Sequence, residues 1–206
     1  MTRPLRIEYE GAFYHVLSRG NERKEIFRDD KARSLFTEIL GEMSARFSVD
    51  IFAYVLMGNH YHLLLEEIKE GGISQFMHKF GGGYARYFNT KHDRVGSLFQ
   101  DKFKSVLVDD EQYLQYLLVY INVLNPAEFI EHNWKENGIR DIEKVLKFAE
   151  EYLWSSHLDY LEKRGSLILE RGILGEMFPT KEKYAELVRM VLRDKKYQAI
   201  DHLVLE

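Results

Sequence analysis

Cysteine is absent from this sequence of 206 residues, and proline occurs only three times. Without cysteine, disulfide bonds and thiolate metal sites are excluded, so any metal ion must be bound by histidine, carboxylate or amide groups. No apolar run approaches the roughly 20 residues that span a bilayer, and residues 1–6 carry charges without the apolar segment of a secretory signal. These absences predict a cytoplasmic protein with no membrane partner.

An excess of positive charge is also missing. The chain has 29 lysines and arginines against 33 aspartates and glutamates, a formal net charge of -4. This balance argues mildly against a protein that coats nucleic acid through bulk electrostatics. The deficit belongs to the second half, because residues 1–108 carry 16 basic against 14 acidic residues and residues 109–206 carry 13 against 19. Basic sequence is therefore concentrated in the first half.

Basic and aromatic residues are interleaved in one segment of that half, residues 79–104. Such a pattern suits a phosphate backbone and unstacked bases, whereas a solvated amphipathic helix followed by a hairpin accounts for the same composition. Only two acidic residues, Asp93 and Asp101, interrupt it. The six basic residues of the segment are Lys79, Arg86, Lys91, Arg94, Lys102 and Lys104.

The order of predicted elements points to one fold. Strand-like composition is found in residues 11–18, 51–57, 60–66 and the end of 96–108. Helical spacing of apolar residues is found in residues 30–47, 73–89 and 111–124. The order β-α-β-β-α-β predicts a ferredoxin-like split βαβ fold of the α+β class, with an antiparallel sheet. The helix after the fourth strand is expected to stop at Asn125-Pro126, because a residue that precedes proline disfavours helical geometry.

The remainder of the chain is acidic and mostly helical in pattern, with clear helical segments at 141–152 and 181–193. No internal repeat and no low-complexity linker separates it from the preceding part. We therefore predict a first domain, residues 1–128, and a helical C-terminal extension, residues 129–206, that is packed on it or tethered to it.

Two histidines, His60 and His62, are two positions apart on the third predicted strand. Side chains at this spacing leave the same face of a strand, with Cα atoms about 7 Å apart, so both imidazoles can reach one metal ion. A pair of ordinary histidines on an exposed strand face gives the same pattern. A metal site would need a third protein ligand. His15 on the first strand can face the same side of the sheet.

The residues around this pair carry a family resemblance. Residues 57–65, Met-Gly-Asn-His-Tyr-His-Leu-Leu-Leu, resemble the His-hydrophobic-His motif of the single-tyrosine HUH transposases, which include insertion-sequence transposases and REP-associated tyrosine transposases. The resemblance covers roughly residues 10–160. It continues through residues 84–89, 94–105, 113–114, 120–121, 125–126, 152–156 and 159–160, in the order and spacing of the family.

The resemblance implies a ferredoxin-like domain in which His60 and His62 bind Mg²⁺ or Mn²⁺. It implies that the helix after the fourth strand presents a nucleophilic tyrosine, and Tyr120 matches that position, with Tyr116 as the second candidate. Tyr113, Tyr116 and Tyr120 share one helical stripe, and aromatic residues at this spacing usually belong to a packed core. The family cuts single-stranded DNA beside hairpins through a 5′-phosphotyrosine link and rejoins strands in a second transesterification. Single-stranded or hairpin DNA is thus the expected partner, and a homodimer is possible.

The sequence departs from the family at the third metal ligand. Relatives tend to carry a polar residue one turn after the nucleophile, but Leu124 occupies that position and Asn125 comes one residue later. We hypothesise a π-bulge between Tyr120 and Asn125 that turns Asn125 onto the face of the tyrosine. Asn122 is a poorer candidate, because it points about 160° away from Tyr120 on a helix.

Five side chains in the most family-like stretch are predicted to contact DNA, with ordinary surface charge as the alternative: Arg86, Arg94, Gln100, Lys102 and Lys104. The sequence leaves two other functions open. One is a domesticated hairpin DNA-binding protein that keeps the fold and does not cut. The other is a metal-dependent hydrolase unrelated to DNA.

Overall fold

The computed structural model describes residues 8–194. Four strands form one sheet: β1 (Phe13–Arg19), β2 (Val49–Leu56), β3 (His60–Glu67) and β4 (Lys104–Val108). Their order across the sheet is β2-β3-β1-β4, and every neighbouring pair is antiparallel. This is the topology of the split βαβ unit. The predicted α+β fold is confirmed.

Two long helices, α1 (Asp30–Phe47) and α2 (Gly72–Lys91), cover one face of the sheet. The Asp29 carboxylate begins α1 by accepting a hydrogen bond from the backbone N–H of Ala32 at 2.7 Å. An aromatic cluster joins the two helices to the sheet, since the ring of Phe36 lies 4.6 Å from that of Phe80 and 4.8 Å from that of Tyr61 on β3. Alternate residues of β3, beginning with Tyr61, therefore point into this first core.

The opposite face of the sheet is covered by the chain that follows β4. Helix α3 (Glu111–Val119) leads without a break into a π-helix (Tyr120–Leu124) and then into α4 (Asn125–Ala127). The expectation that the helix stops at Asn125-Pro126 is wrong, because helical structure continues to Ala127. The π-helix widens the last turn, and a new α-helical segment begins directly after it. Pro126 lies in the first turn of that segment, where a proline is tolerated because its missing N–H is not needed.

Between residues 129 and 194 the chain forms five further helices. They are α5 (Trp134–Asn137), α6 (Ile142–Glu151), α7 (His157–Tyr160), α8 (Gly172–Met177) and α9 (Lys181–Arg193). No helix within residues 8–194 is long and apolar enough to cross a bilayer. Apolar residues of α6 and α9, such as Val145 and Val191, are fully buried in the same core as Leu117 of α3 and Leu64 of β3. The residues after 128 thus complete the second core of the sheet.

The same part of the chain closes the outer edge of β2. The Leu56 N–H donates to the Trp154 carbonyl at 2.8 Å, and the Ser156 N–H donates to the Tyr54 carbonyl at 3.0 Å. Farther along the strand, the Glu170 N–H donates to the Ile51 carbonyl at 2.9 Å. An uncovered edge strand is a template for pairing with another chain, and these bonds remove that hazard on the β2 side.

A buried polar network fastens the C-terminal helices to the π-helix. The Asn122 amide donates to the Tyr184 hydroxyl at 3.0 Å, and the Ser156 hydroxyl donates to Asn122 Oδ1 at 2.5 Å. The Tyr184 hydroxyl lies 2.8 Å from Nδ1 of His157, which accepts its proton when the imidazole is neutral. Burial lowers the pKa of His157 to about 4, so the network is intact at neutral pH.

This network makes the stability of the fold pH-dependent. The unfolded chain binds a proton at His157 below about pH 6.5, whereas the folded chain keeps the imidazole neutral down to about pH 4. Stability is therefore lost as the pH falls from about 6.5 towards 4. In His157→Asn the amide oxygen can accept from Tyr184 in place of Nδ1. Between pH 7 and pH 5, we expect the free energy of unfolding of that variant, measured in urea, to fall by about 2 kcal/mol less than that of the wild type.

The matched control is His132→Asn, at an exposed position of the C-terminal extension. It should follow the pH dependence of the wild type. If His157→Asn also follows the wild type, the assignment of the buried neutral imidazole is wrong.

Candidate functional site

Three histidines meet on the sheet face that is covered by α3 and the π-helix. His15 lies on β1, and His60 and His62 lie on the neighbouring strand β3, where they pair with Arg19 and Leu17 of β1. Nε2 of His15 is 2.8 Å from Nδ1 of His62, and the ring centroids of His60 and His62 are 5.2 Å apart. The predicted pair is therefore part of a buried group of three imidazoles.

The protonated nitrogen of His60 is fixed by Asn59. The Asn59 amide nitrogen donates to the Arg23 carbonyl at 2.9 Å, which directs the amide oxygen towards Nδ1 of His60 at 2.6 Å. An amide oxygen only accepts hydrogen bonds, so Nδ1 of His60 must carry the proton. The lone pair of His60 is consequently on Nε2.

All three imidazoles are neutral at pH 7. Burial lowers the pKa of His15 to about 3. Burial, with the nearby charges of Arg19 and Lys135, also lowers the pKa of His60 to about 3. For His62, burial followed by the neighbouring His15 and His60 holds the pKa well below its usual range. Neutral imidazoles keep a lone pair, so they can accept a proton or bind a metal ion.

Tyr120 is the tyrosine that contacts this group. Its side chain is 2% exposed, and its ring centroid lies 5.6 Å from that of His62 and 6.0 Å from that of His15, with the rings edge to face. On its other side the ring lies 6.3 Å from Trp134 of α5. Tyr116 is buried one turn earlier on the helix. The helical stripe of tyrosines therefore brings the residue matched by the resemblance to the histidines.

The hypothesised π-bulge is present at the end of this helix. The Asn125 N–H donates to the Tyr120 carbonyl five residues back, and the Asn125 side-chain amide donates to the same carbonyl at 2.9 Å. The amide oxygen Oδ1 of Asn125 is buried without a hydrogen-bond partner. The side chain of Asn122, by contrast, is engaged by Tyr184 and Ser156. The extra residue in the turn brings Asn125, and not Asn122, to the tyrosine.

A polar cleft of about 500 Å³ opens beside His60. Three of the residues predicted to contact DNA, Gln100, Lys102 and Lys104, line it. The other two do not. Arg86 is exposed on α2, and the Arg94 guanidinium donates to the Asn89 amide oxygen at 3.0 Å and to the Ser97 carbonyl at 2.8 Å. The remaining lining residues are Leu17, Ser18, Arg19, Arg23, Asn59, His60, Asp101, Glu128 and Lys135.

Arg19 lines the cleft as well, although it comes one residue after the first predicted strand and sequence reasoning did not single it out. It ends β1 on the same face as His15 and Leu17, and strand alternation is the signal that could have found it. Its Nε is buried without a hydrogen-bond partner. Burial and the adjacent Arg23 lower the pKa of Arg19, while Glu128 and the Tyr120 phenol oppose that shift. Arg19 therefore lines the cleft with one buried, unpartnered N–H and interacts electrostatically with Tyr120.

The wall opposite β1 comes from the chain after the π-helix. Lys135 of α5 and Glu128 form an ion pair at 2.7 Å, and both side chains line the cleft. Sequence reasoning missed both, because nothing local to residues 128–135 indicates that they fold back to the histidines. In the described part of the chain, no group of three or more histidine, cysteine or acidic side chains is arranged to hold a metal ion. The histidine pair would need amide or substrate oxygens to complete a shell.

Solved structures resemble this chain at low sequence identity. A REP-associated tyrosine transposase bound to a REP hairpin aligns with a TM-score of 0.55 and 13% identity, over 82% of this chain and 92% of that one. A putative transposase from Deinococcus radiodurans R1 aligns with a TM-score of 0.41 and 19% identity, over 57% of this chain and 92% of that one. The tRNA(His) guanylyltransferase of Saccharomyces cerevisiae aligns with a TM-score of 0.43 and 12% identity, over 73% of this chain and 81% of that one. At 13% identity, the first similarity shows a shared fold.

No curated protein matches the sequence. The family model described as IS200-like transposase, however, matches residues 8–123. This match includes β1 with His15, the histidine pair on β3, the whole of α3, and Tyr120 at the start of the π-helix. Because it spans more than half of the sequence, the chain belongs to the IS200-like transposase family.

Proposed function

We propose that this protein is a metal-dependent transposase that cleaves and rejoins single-stranded DNA at hairpin sites through a 5′-phosphotyrosine intermediate. The observation that carries the proposal is the packing of the Tyr120 ring against His62 and His15, next to His60, which lines a cleft with mainly basic walls. Membership of the family supports transposition, and the solved transposase with a similar fold was bound to a REP hairpin. Hairpin DNA is therefore the substrate to test.

His60, His62 and Asn125 would hold the metal ion, Mg²⁺ or Mn²⁺. The two imidazoles are neutral, and Oδ1 of Asn125 is buried without a partner. The 5.2 Å separation of their ring centroids would let the two imidazoles share one ion. When bound, the ion would stabilise the negative charge that develops on a nonbridging phosphate oxygen.

Tyr120 would be the nucleophile. Its Oη attacks phosphorus, the bond from phosphorus to O3′ breaks, and the phenol proton is lost while the released 3′ oxygen gains a proton. The 5′ phosphate stays on the tyrosine, so the bond energy is kept for rejoining and no nucleotide cofactor is needed. A free phenol is only about 0.1% ionised at pH 7. The charge of Arg19, which interacts with Tyr120, would favour the phenolate.

The cleft would hold the strand that is cut. Arg19, Lys102 and Lys104 line it and would contact phosphates, and Gln100 would donate to phosphate or base. Arg86 lies on the exposed surface of α2, where it would meet DNA outside the cleft. The Arg94 guanidinium braces the loop that leads to β4, so we assign it a supporting role beside the DNA.

The first prediction concerns the covalent intermediate. Hairpin DNA with a single-stranded flank, incubated with Mn²⁺, should give a protein–DNA adduct that survives denaturing electrophoresis. Tyr120→Phe should abolish the adduct, because it removes the attacking oxygen and leaves the ring in place. Tyr116→Phe is the matched control and should retain it.

The alternatives give different results in the same experiment. An adduct that persists in Tyr120→Phe refutes the assignment of the nucleophile. Tight hairpin binding without any adduct favours the domesticated DNA-binding protein, and an absence of DNA binding favours a hydrolase unrelated to DNA.

The second prediction concerns the ion. His60→Ala and His62→Ala should each weaken Mn²⁺ binding at least tenfold, as measured by electron paramagnetic resonance of free Mn²⁺, because each removes a neutral nitrogen donor. Asn125→Ala should also weaken binding, whereas Asn125→Asp keeps an oxygen donor and should not. His78→Ala, on an exposed position of α2, serves as the control. Unchanged Mn²⁺ affinity in both histidine variants would exclude this metal site.

The third prediction concerns the cleft. The double variant Lys102→Ala/Lys104→Ala should weaken binding of single-stranded DNA and lower the slope of log K against log salt by about 1.4, since each lost phosphate contact removes about 0.7. Fluorescence anisotropy of labelled DNA at several salt concentrations measures both quantities. For a single-stranded oligonucleotide, Arg86→Ala should leave the slope unchanged. A slope that responds to Arg86 and not to the lysine pair would place the strand elsewhere.

A further inference from the structure

His15 has no role in the chemistry proposed above, yet it is completely buried at the centre of the site. Its Nε2 lies 2.8 Å from Nδ1 of His62, and its own Nδ1 is buried without a hydrogen-bond partner. Its ring is nearly parallel to that of His62, with an interplanar angle of 23°, and stands edge to face with that of Tyr120. An apolar side chain would fill this space without burying an unsatisfied nitrogen. An imidazole at this buried position therefore indicates a role beyond packing.

The short contact between His15 and His62 allows two arrangements of protons. In one, Nδ1 of His62 carries the proton and donates it to Nε2 of His15, which leaves the lone pair of His62 on Nε2. In the other, Nε2 of His15 donates, and Nε2 of His62 then carries the proton in the neutral ring. Only the first leaves His62 able to bind a metal ion through Nε2. Nδ1 of His15 has no hydrogen-bond partner in either arrangement, so this nitrogen does not favour the second arrangement over the first.

His60 already meets the same requirement, which is a lone pair on Nε2. There the Asn59 amide oxygen holds the proton on Nδ1 and leaves Nε2 with the lone pair. Histidines that bind metal ions usually donate their second N–H to a nearby acceptor, which fixes both the ring and the tautomer. His62 has Nε2 of His15 in that position, on the adjacent strand.

We propose that His15 is a positioning residue that accepts the Nδ1 proton of His62 and so directs Nε2 of His62 towards the metal ion. This inference rests on the proposed function, because it assigns a partner to one of the proposed metal ligands. His15 touches neither the DNA nor the ion. It acts through His62, and its edge contact with Tyr120 keeps the nucleophile ring beside the same imidazole.

Two substitutions separate this role from simple packing. In His15→Gln the side-chain amide oxygen can occupy the place of Nε2 and accept from His62. In His15→Leu a residue of similar bulk fills the space without an acceptor. We expect His15→Leu to weaken Mn²⁺ binding about 10- to 100-fold, the range found when such an outer partner is lost, and His15→Gln to bind within a few-fold of the wild type. Urea unfolding and circular dichroism establish that both variants are folded.

The tautomer gives a readout that does not depend on activity. Nitrogen NMR of the imidazoles with Mg²⁺ should find His62 of the wild type and of His15→Gln protonated on Nδ1, and His15→Leu with a mixture of tautomers. His62 protonated on Nε2 in the Mg²⁺-bound wild type overturns the inference, and this holds even when His15→Leu fails to fold. Equal Mn²⁺ affinity in His15→Leu and the wild type also overturns it.

The two proposals fail in different ways. If the wild type forms the DNA adduct while His15→Leu keeps full Mn²⁺ affinity, the positioning role is wrong and the proposed function stands. If the wild type neither binds Mn²⁺ nor forms an adduct, the proposed function fails and the role of His15 in metal binding fails with it.

Discussion

The two-residue period of the β-strand decides which side chains can meet in this protein. On β1 it places His15 and Arg19 on one face, and on β3 it places His60 and His62 on that same face, towards α3 and the π-helix. Because helices cover both sides of the sheet, a slip of one residue would exchange the polar set with the aromatic residues of the other core. The site is thus held in place by the register of two central strands, and Tyr120 needs only to approach from the helix above.

Local patterns predicted the parts of the site that depend on spacing within one element. The two-residue spacing of His60 and His62 and the helical spacing that ends in Tyr120 are both preserved. The π-turn followed from the family resemblance, since Asn125 comes one position later than the polar residue that relatives carry one turn after the nucleophile. The antiparallel sheet followed from the order of the elements. For the histidine spacing and the helical stripe, the physical cause lies within a single element of the sequence.

Contacts between segments that are distant in the sequence could not be predicted from local patterns. The bond between His15 and His62 depends on the pairing of two strands 47 residues apart. Lys135 reaches the cleft only because the chain after α4 folds back over Tyr120, and no local pattern encodes that path. The charge of Arg94 likewise gave no sign that its guanidinium donates to Asn89 and Ser97. Charge alone does not reveal whether a side chain is already in use.

The closure of the β2 edge by the segment around Ser156 has a consequence for the order of folding. The Tyr54 N–H and the Ser156 hydroxyl that it meets are separated by 102 residues. Such a contact closes a long loop and forms late, because the loss of chain entropy precedes the gain from the contact. During synthesis the second core, and with it one wall of the cleft, is completed only after most of the chain has left the ribosome. A nascent chain therefore has the histidine pair long before it has a finished site.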